Sequence, residues 1–283
     1  MRSYLKPQEV TLKPPGRSAV GGGGRLAIVV PVITSELTPE EALSFSLLRR
    51  FGGDWPKVIL HPEGLELSFD TTGFQTVSLD PVNFDGISAY NAMMMSAWFY
   101  EFFGTYEHIL IHQTDCLLLS DEIEPWLEKP WSYYGAPYFR RNGKLKSVGN
   151  GGFSLRRTAD HILALTGDKA ELSRMSVPMF RQYLKGVYNR YLLAHLARGG
   201  GAQAFVETFD RAEDEFFIYY APLFSDGFKL PSAQDVVGFA AESRPRDVVA
   251  LNGGRLPLGV HAWSKHDRGF WVERLGEMGI AVP

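Results

Sequence analysis

Apolar residues along this chain follow two spacings. Short blocks of consecutive apolar, β-rich residues stand between polar loops, and stretches with apolar residues three and four apart separate the blocks. The blocks read as buried strands: Leu26–Val32, Lys57–His61, Phe74–Leu79, and the run Ile109–Ile111, flanked by His108 and His112. A second apolar run, Cys116–Leu119, follows the polar triplet Gln113-Thr114-Asp115 at once. Helical spacing predicts a helix over Pro39–Arg50 through Ala42, Phe45 and Leu48, with Thr38 as N-cap and Glu40 and Glu41 in its first turn. A broad apolar face through Tyr90, Met93, Met94, Ala97, Trp98 and Phe102 predicts one helix over Ser88–Phe103. Asp121–Glu128 reads as a short helix and Trp131–Pro137 as an aromatic strand, with further helices over Thr158–Thr166 and Val177–Arg198. Strands separated by helices or crossovers imply an α/β fold with a mainly parallel sheet covered on its faces.

Residues 1–24 break this pattern and end in four glycines, Gly21 to Gly24. Ordering such a run is entropically unfavourable and leaves no side chain to bury, so we read it as a flexible lead. A phosphate-binding loop needs a preceding strand and a Lys-Ser/Thr ending, and neither is here. The remaining residues, 25–283, form one domain without an internal repeat. Composition changes the picture little: 45% hydrophobic and 22% charged residues are ordinary for a globular chain with a substantial core. The net charge of −3 comes from 29 basic and 32 acidic residues in mixed order, so nucleic acid is not the expected partner. Cys116 is the single cysteine, which precludes an internal disulfide and fits a reducing, cytoplasmic setting. No apolar window approaches the roughly 18 residues of a membrane span.

Four polar segments could carry chemistry. Asp115 ends the central strand region, where open α/β sheets bind ligands and where a carboxylate can hold a metal beside a phosphate. A loop-capping Asp is the competing reading. In Val148–Leu155, Gly149, Gly151 and Gly152 around Asn150 suit a loop whose backbone takes positive φ and approaches a ligand closely. Asn-Gly between β-rich runs also signals a tight turn, and both can hold together. Asp210 and Glu213 have the spacing of a capping box. Asp214 lacks that structural role, and the helix dipole would keep it ionised as a general base; a solvated acidic turn is the alternative. In Leu256–Trp263, a strand would place His261 and Trp263 on one face.

Taken together, these segments resemble a family catalogued as a domain of unknown function and regarded as glycosyltransferase-like. The matching residues are Ala27–Pro31, His61–Leu65, Tyr90-Asn91, Phe99-Tyr100, Ile109–Asp115, Tyr134–Pro137, Gly149–Leu155, Glu213–Phe216 and Leu256–Trp263. That family is similar to the GT-A class of nucleotide-sugar glycosyltransferases, a single-domain, Rossmann-like α/β/α sandwich.

The resemblance implies a sugar transfer from a nucleoside-diphosphate donor, UDP- or GDP-linked, to the hydroxyl of a glycan or other acceptor. The metal-binding Asp-x-Asp triplet corresponds to Gln113-Thr114-Asp115, whose first position is a neutral amide. Asp115 and His261 would hold a divalent cation, Mn²⁺ rather than Mg²⁺ because an imidazole ligand suits manganese better. Pro31, Gln113, Thr114, Gly149, Asn150, Gly151, Gly152 and Trp263 would line the donor and acceptor sites. The acidic pair Glu213-Asp214 would supply the catalytic base, Asp214, in an inverting reaction. The basic segment Ser132–Lys146 would line the acceptor pocket or form a solvated turn. The alternative prompted by Gln113 is a degenerate family member that binds a nucleotide or glycan without transferring anything. A nucleotidyltransferase would need a basic loop after the first strand, and Pro31–Thr34 offers none.

Overall fold

A computed structural model describes residues 12–14, 20, 22–174 and 189–283. Its centre is a six-stranded sheet in the order β3-β2-β1-β4-β9-β6. The strands are β1 (Gly24–Pro31), β2 (Lys57–Pro62), β3 (Gln75–Leu79), β4 (Tyr106–His112), β6 (Tyr133–Tyr134) and β9 (Phe153–Arg157). β1 pairs in parallel with β2 and with β4, and β2 with β3. β9 runs antiparallel to β4, with His112 opposite Phe153. The expected Rossmann-like, mainly parallel α/β architecture is therefore present. Ala27 to Val30 and Ile109 to Ile111 are wholly buried, as continuous apolar runs in a covered parallel sheet should be.

The order places β1 between β2 and β4. From β1 the chain winds outwards to β3 and then returns to the other side, so the carboxyl ends of β1 and β4 flank the topological switch point, where such sheets open a crevice. Helix α1 (Pro39–Phe51) follows β1 and starts as expected. The Glu41 amide donates to Thr38 Oγ1 at 3.3 Å, and the Thr38 amide donates to the Glu41 carboxylate at 2.9 Å, a reciprocal cap. A smaller sheet, β10 (Ala240–Ala241), β11 (Gly259–Val260) and β5 (Leu117–Leu118), joins the segment after β4 to the late chain. β7 (Tyr138–Phe139) and β8 (Leu145–Ser147) form a separate hairpin.

Several elements depart from the expected boundaries. The helix expected over Ser88–Phe103 is two helices, α2 (Gly86–Met94) and α3 (Ala97–Phe102). The break falls at Met95-Ser96, where buried Ser96 donates its hydroxyl to the Met93 carbonyl at 2.6 Å, a local side-chain bond that competes with helix continuation. The strand expected over Trp131–Pro137 is reduced to β6, and the helix expected over Asp121–Glu128 to α4 (Glu124–Leu127). Gly24, placed in the lead, is the first residue of β1 and pairs with Tyr106. α5 (Thr158–Leu165) lies where expected. Of the helix expected over Val177–Arg198, Asn189–Arg198 is helical and the rest lies outside the described residues, as does most of the lead. No helix of the described residues is long and apolar enough to cross a membrane.

Candidate active site at the carboxyl ends of β1 and β4

Residues leaving β1 and β4 meet at a cleft of about 570 Å³. Pro31 and Ile33 come from the end of β1, Ile87 and Tyr90 from α2, and Gln113, Thr114 and Asp115 from the end of β4; Lys265 also lines it. The walls are largely apolar and aromatic, and the polar lining comes from Gln113–Asp115, from Thr38, Glu40 and Glu41 at the start of α1, and from Ser264 and Lys265.

His261 is at the centre of that polar group. Its Nε2 lies 3.1 Å from Gln113 Oε1 and 3.3 Å from Asp115 Oδ1, and its Nδ1 lies 3.3 Å from Glu242 Oε1. The Gln113 amide nitrogen donates to the Tyr90 hydroxyl at 3.1 Å. Thr114 turns the other way, donating to Glu41 of α1 at 2.6 Å. Burial alone would lower the His261 pKa, but the carboxylates of Asp115 and Glu242 outweigh it and raise it to about 9. Asp115 is pulled well below the usual carboxylate range despite its burial, by His261 and by the Lys265 ammonium at 2.7 Å.

These donors suit a divalent cation. The Asp115, His261 and Cys116 ligand atoms lie within 4.8 Å of one another. Cys116 is a poor member of the set: its buried thiol is raised well above its ordinary pKa and points at the Gly152 carbonyl, 3.1 Å away. Without it, Asp115 and the His261 Nε2 remain on one side of the ring, with the Gln113 amide oxygen 3.1 Å from that nitrogen, while Glu242 faces Nδ1 on the other side. Such an ion would displace the His261 proton and compete with Lys265 for Asp115.

The glycine loop lies against this cluster. A Cβ on Gly152 would overlap the His261 ring and come within 2.7 Å of Gln113 Oε1, and one on Gly151 would overlap the Glu213 carboxylate. The glycines are thus required for close approach. Positive φ, expected of them, falls instead on Asn150 (φ 30). Asn150 closes a turn by accepting from the Gly152 amide at 2.8 Å and donates to Glu242 at 2.9 Å. The turn is present at Asn150, and the close approach that Gly151 and Gly152 permit is to the Glu213 and His261 side chains.

On the loop's other side stands the acidic pair, at the start of the helix Glu213–Tyr219. The expected capping box is absent. Ala212 is the N-cap and offers no side-chain bond, while Asp210 accepts from the Tyr191 hydroxyl. Glu213 instead forms a buried ion pair with Arg156 of β9 at 2.6 Å, and Arg156 also donates to Tyr100 and Ser154 at 2.9 Å. Asp214 is buried rather than solvated. Burial, and then the neighbouring Glu213 charge, push its pKa up to about 7, so the helix dipole does not keep it firmly ionised. It accepts from the Tyr138 hydroxyl through Oδ2, and among the described residues Oδ1 has no hydrogen-bond partner.

The strand expected to carry His261 and Trp263 on one face ends at Val260. Ala262 takes a left-handed φ of 50. His261 therefore reaches Gln113 and Asp115 behind the cleft wall, whereas Trp263 is wholly buried in the second apolar cluster with Val260 and Trp271. Asp115, Gln113, His261 and Gly152 are brought together, and Glu213 and Asp214 stand across the loop; Pro31 lines the cleft. Glu242, Lys265, Tyr138 and Arg156 escaped sequence reasoning. Only Arg156 left a signal there, a cation inside the strand Phe153–Arg157, followed by a second arginine at its end.

No curated protein matches the chain. Among solved structures, the galactosyltransferase LgtC in complex with donor and acceptor sugar analogues aligns with 91% of this chain and 97% of its own, at 10% identity and a TM-score of 0.49. The apo glycosyltransferase GlyE of Streptococcus pneumoniae TIGR4 aligns over 84% of this chain and 54% of its own, at 11% identity and 0.39. The bifunctional glycosyltransferase WbbM aligns over 88% and 46%, at 11% identity and 0.44, so the chain spans about half the length of these last two. A family model described as "Protein of unknown function (DUF5672)" matches residues 73–261; that stretch carries Gln113–Asp115, the glycine loop, Glu213-Asp214 and His261, and the chain belongs to this family.

Proposed function

We propose that this protein is a glycosyltransferase that moves a sugar from a nucleoside-diphosphate donor to a hydroxyl acceptor. The observation that carries the reading is the meeting of Asp115 and His261, 146 positions apart in the chain, at 3.3 Å beside the cleft where β1 and β4 end. The apolar and aromatic walls suit a nucleoside, UDP- or GDP-linked, and the polar end suits a diphosphate. Asp115 and His261 would hold a divalent cation, with Gln113 and Glu242 beside them, and manganese suits that set. When bound, the cation supplies charge neutralisation on the departing diphosphate.

Asp214 is the proposed base. The acceptor oxygen bonds to the anomeric carbon as the bond from that carbon to the diphosphate oxygen breaks. The electron pair leaves with the diphosphate, and the hydroxyl proton passes to the Asp214 carboxylate. A pKa near 7 suits a group that must take a proton at neutral pH, and attack from the face opposite the leaving group inverts the anomeric centre. The test is hydrolysis and transfer of a panel of nucleotide sugars with Mn²⁺ by wild type, Asp115→Ala and Asp214→Asn. A panel that neither binds nor turns over sinks the reading.

One observation favours a second reading, binding without transfer. Lys265 already neutralises Asp115, and Gln113 stands in the first acidic position of the triplet. Calorimetry showing tight nucleotide-sugar binding, with no product after long incubation, selects that alternative.

A further inference from the structure

We propose that the β7–β8 hairpin selects an acidic glycan as acceptor, one that carries a uronate, phosphate or sulfate near the reacting hydroxyl. This rests on the transferase reading above. From Tyr138 to Ser147 the hairpin carries four cations, Arg140, Arg141, Lys144 and Lys146, and no carboxylate, in a chain whose net charge is −3. All four are exposed, and none forms an ion pair among the described residues, although carboxylates pair with arginines and lysines over much of the surface. The arrangement opposes the hairpin's own stability. Arg140 lies across from Lys144, its amide donating to the Lys144 carbonyl at 2.7 Å, and like charges facing each other across a hairpin repel.

Its position gives the charge a use. At one end the Tyr138 hydroxyl binds Asp214, and the Lys146 ammonium stands over the Tyr138 and Tyr219 rings at 5.8 and 5.6 Å. At the other end the turn abuts Arg244, since a Cβ on Gly143 would lie 3.1 Å from that guanidinium. Arg244 in turn lines a groove of about 390 Å³ that also contains Lys265, the partner of Asp115. The hairpin thus extends from the proposed base towards the proposed cation site. An acceptor whose hydroxyl approaches Asp214 meets four uncompensated positive charges. Exposed charges attract weakly one at a time, but a one-signed cluster beside a cleft concentrates anions and loses that effect in salt.

The test reads glycan binding without donor. Full-length wild type and the variant R140Q/R141Q/K144Q/K146Q are applied to an array of neutral glycans and their uronate-, sulfate- and phosphate-bearing counterparts. Wild type is expected to hold the acidic members at least about tenfold better at about 150 mM salt and to lose that preference near 0.5 M. The quadruple variant is expected to lose it while melting within about 2 °C of wild type, as surface substitutions do. K144R/K146R is expected to retain it. Equal retention of neutral and acidic glycans, or an unchanged preference in the folded quadruple variant, overturns the inference. Capture on phosphatidylglycerol vesicles with none on acidic glycans also overturns it. The salt dependence of wild type needs no variant to fold. Donor hydrolysis by wild type is scored separately: its failure removes the transferase reading, whereas active hydrolysis with no acidic preference removes only the acceptor assignment.

Discussion

Asp214 has one carboxylate oxygen on the Tyr138 hydroxyl and the other without a hydrogen-bond partner among the described residues, with Glu213 next to it. Only its deprotonated form can take a proton from an acceptor. Transfer is therefore expected to rise with pH through about 7, the pKa set by burial and Glu213, as a rate–pH profile would show. Asp214→Asn is expected to lower transfer by about 10²–10⁴-fold. The same shift has a sign for stability. The folded pKa lies above the ordinary 3.8, so the contribution is full at pH below that value and is lost as pH rises through about 7. Asn cannot ionise, and the melting temperature of Asp214→Asn relative to wild type is expected to improve from pH 5 to pH 8. Gly152 makes a second point at this scale. Its missing side chain leaves room for His261 and Gln113, so Gly152→Ala should reduce transfer at least about tenfold through displaced groups, with donor binding by calorimetry showing where the loss falls. The chain marked this glycine as one that permits close approach, but not the groups it would meet. Which groups a glycine makes room for depends on what arrives from elsewhere in the fold, and the positive φ also expected of it is not adopted at Gly152.

At the level of elements, β9 and the helix Glu213–Tyr219 are tied by a buried cation and anion, Arg156 and Glu213. Arg156→Met would leave Glu213 in the core without its partner, at an expected loss of about 3–5 kcal/mol in chemical denaturation. Replacing both residues by apolar ones is expected to regain most of that loss. Recovery of stability without recovery of transfer would show that Glu213 also serves the reaction. At α1, Thr38→Ala should destabilise by about 1 kcal/mol, because it removes the side-chain oxygen that accepts from the Glu41 amide. That cap, and the strands of continuous apolar residues, were readable because their causes are local. The break between α2 and α3 was not readable: apolar spacing continues across Ser96, whose hydroxyl turns back to the Met93 carbonyl. Nor was the end of β11, since nothing about alanine announces the left-handed backbone at Ala262 that directs His261 and Trp263 to different environments.

For the molecule as a whole, the site depends on contacts between distant parts of the chain. Glu242 and Lys265 lie far from Asp115 in sequence, and no spacing rule reaches across such intervals. If the cation and nucleotide act together, Mn²⁺ with UDP or GDP should stabilise the fold by about 2.7 kcal/mol at a hundredfold excess over Kd. A thermal-shift measurement should read this as a rise of several degrees, removed by a chelator and absent in Asp115→Ala. The reversed direction of β9 has its own consequence. Were β9 parallel to β4, the backbone leading into it would emerge at the far edge of the sheet, remote from the cleft. Because it points the other way, the exit from β4 and the entry to β9 lie side by side in one seam, where His112 faces Phe153. An insertion or deletion at that seam would disturb the Gln113–Asp115 turn and the glycine loop together. Divergence in what relatives recognise should therefore accumulate in the neighbouring ribbon, which can change length and charge without shifting the seam.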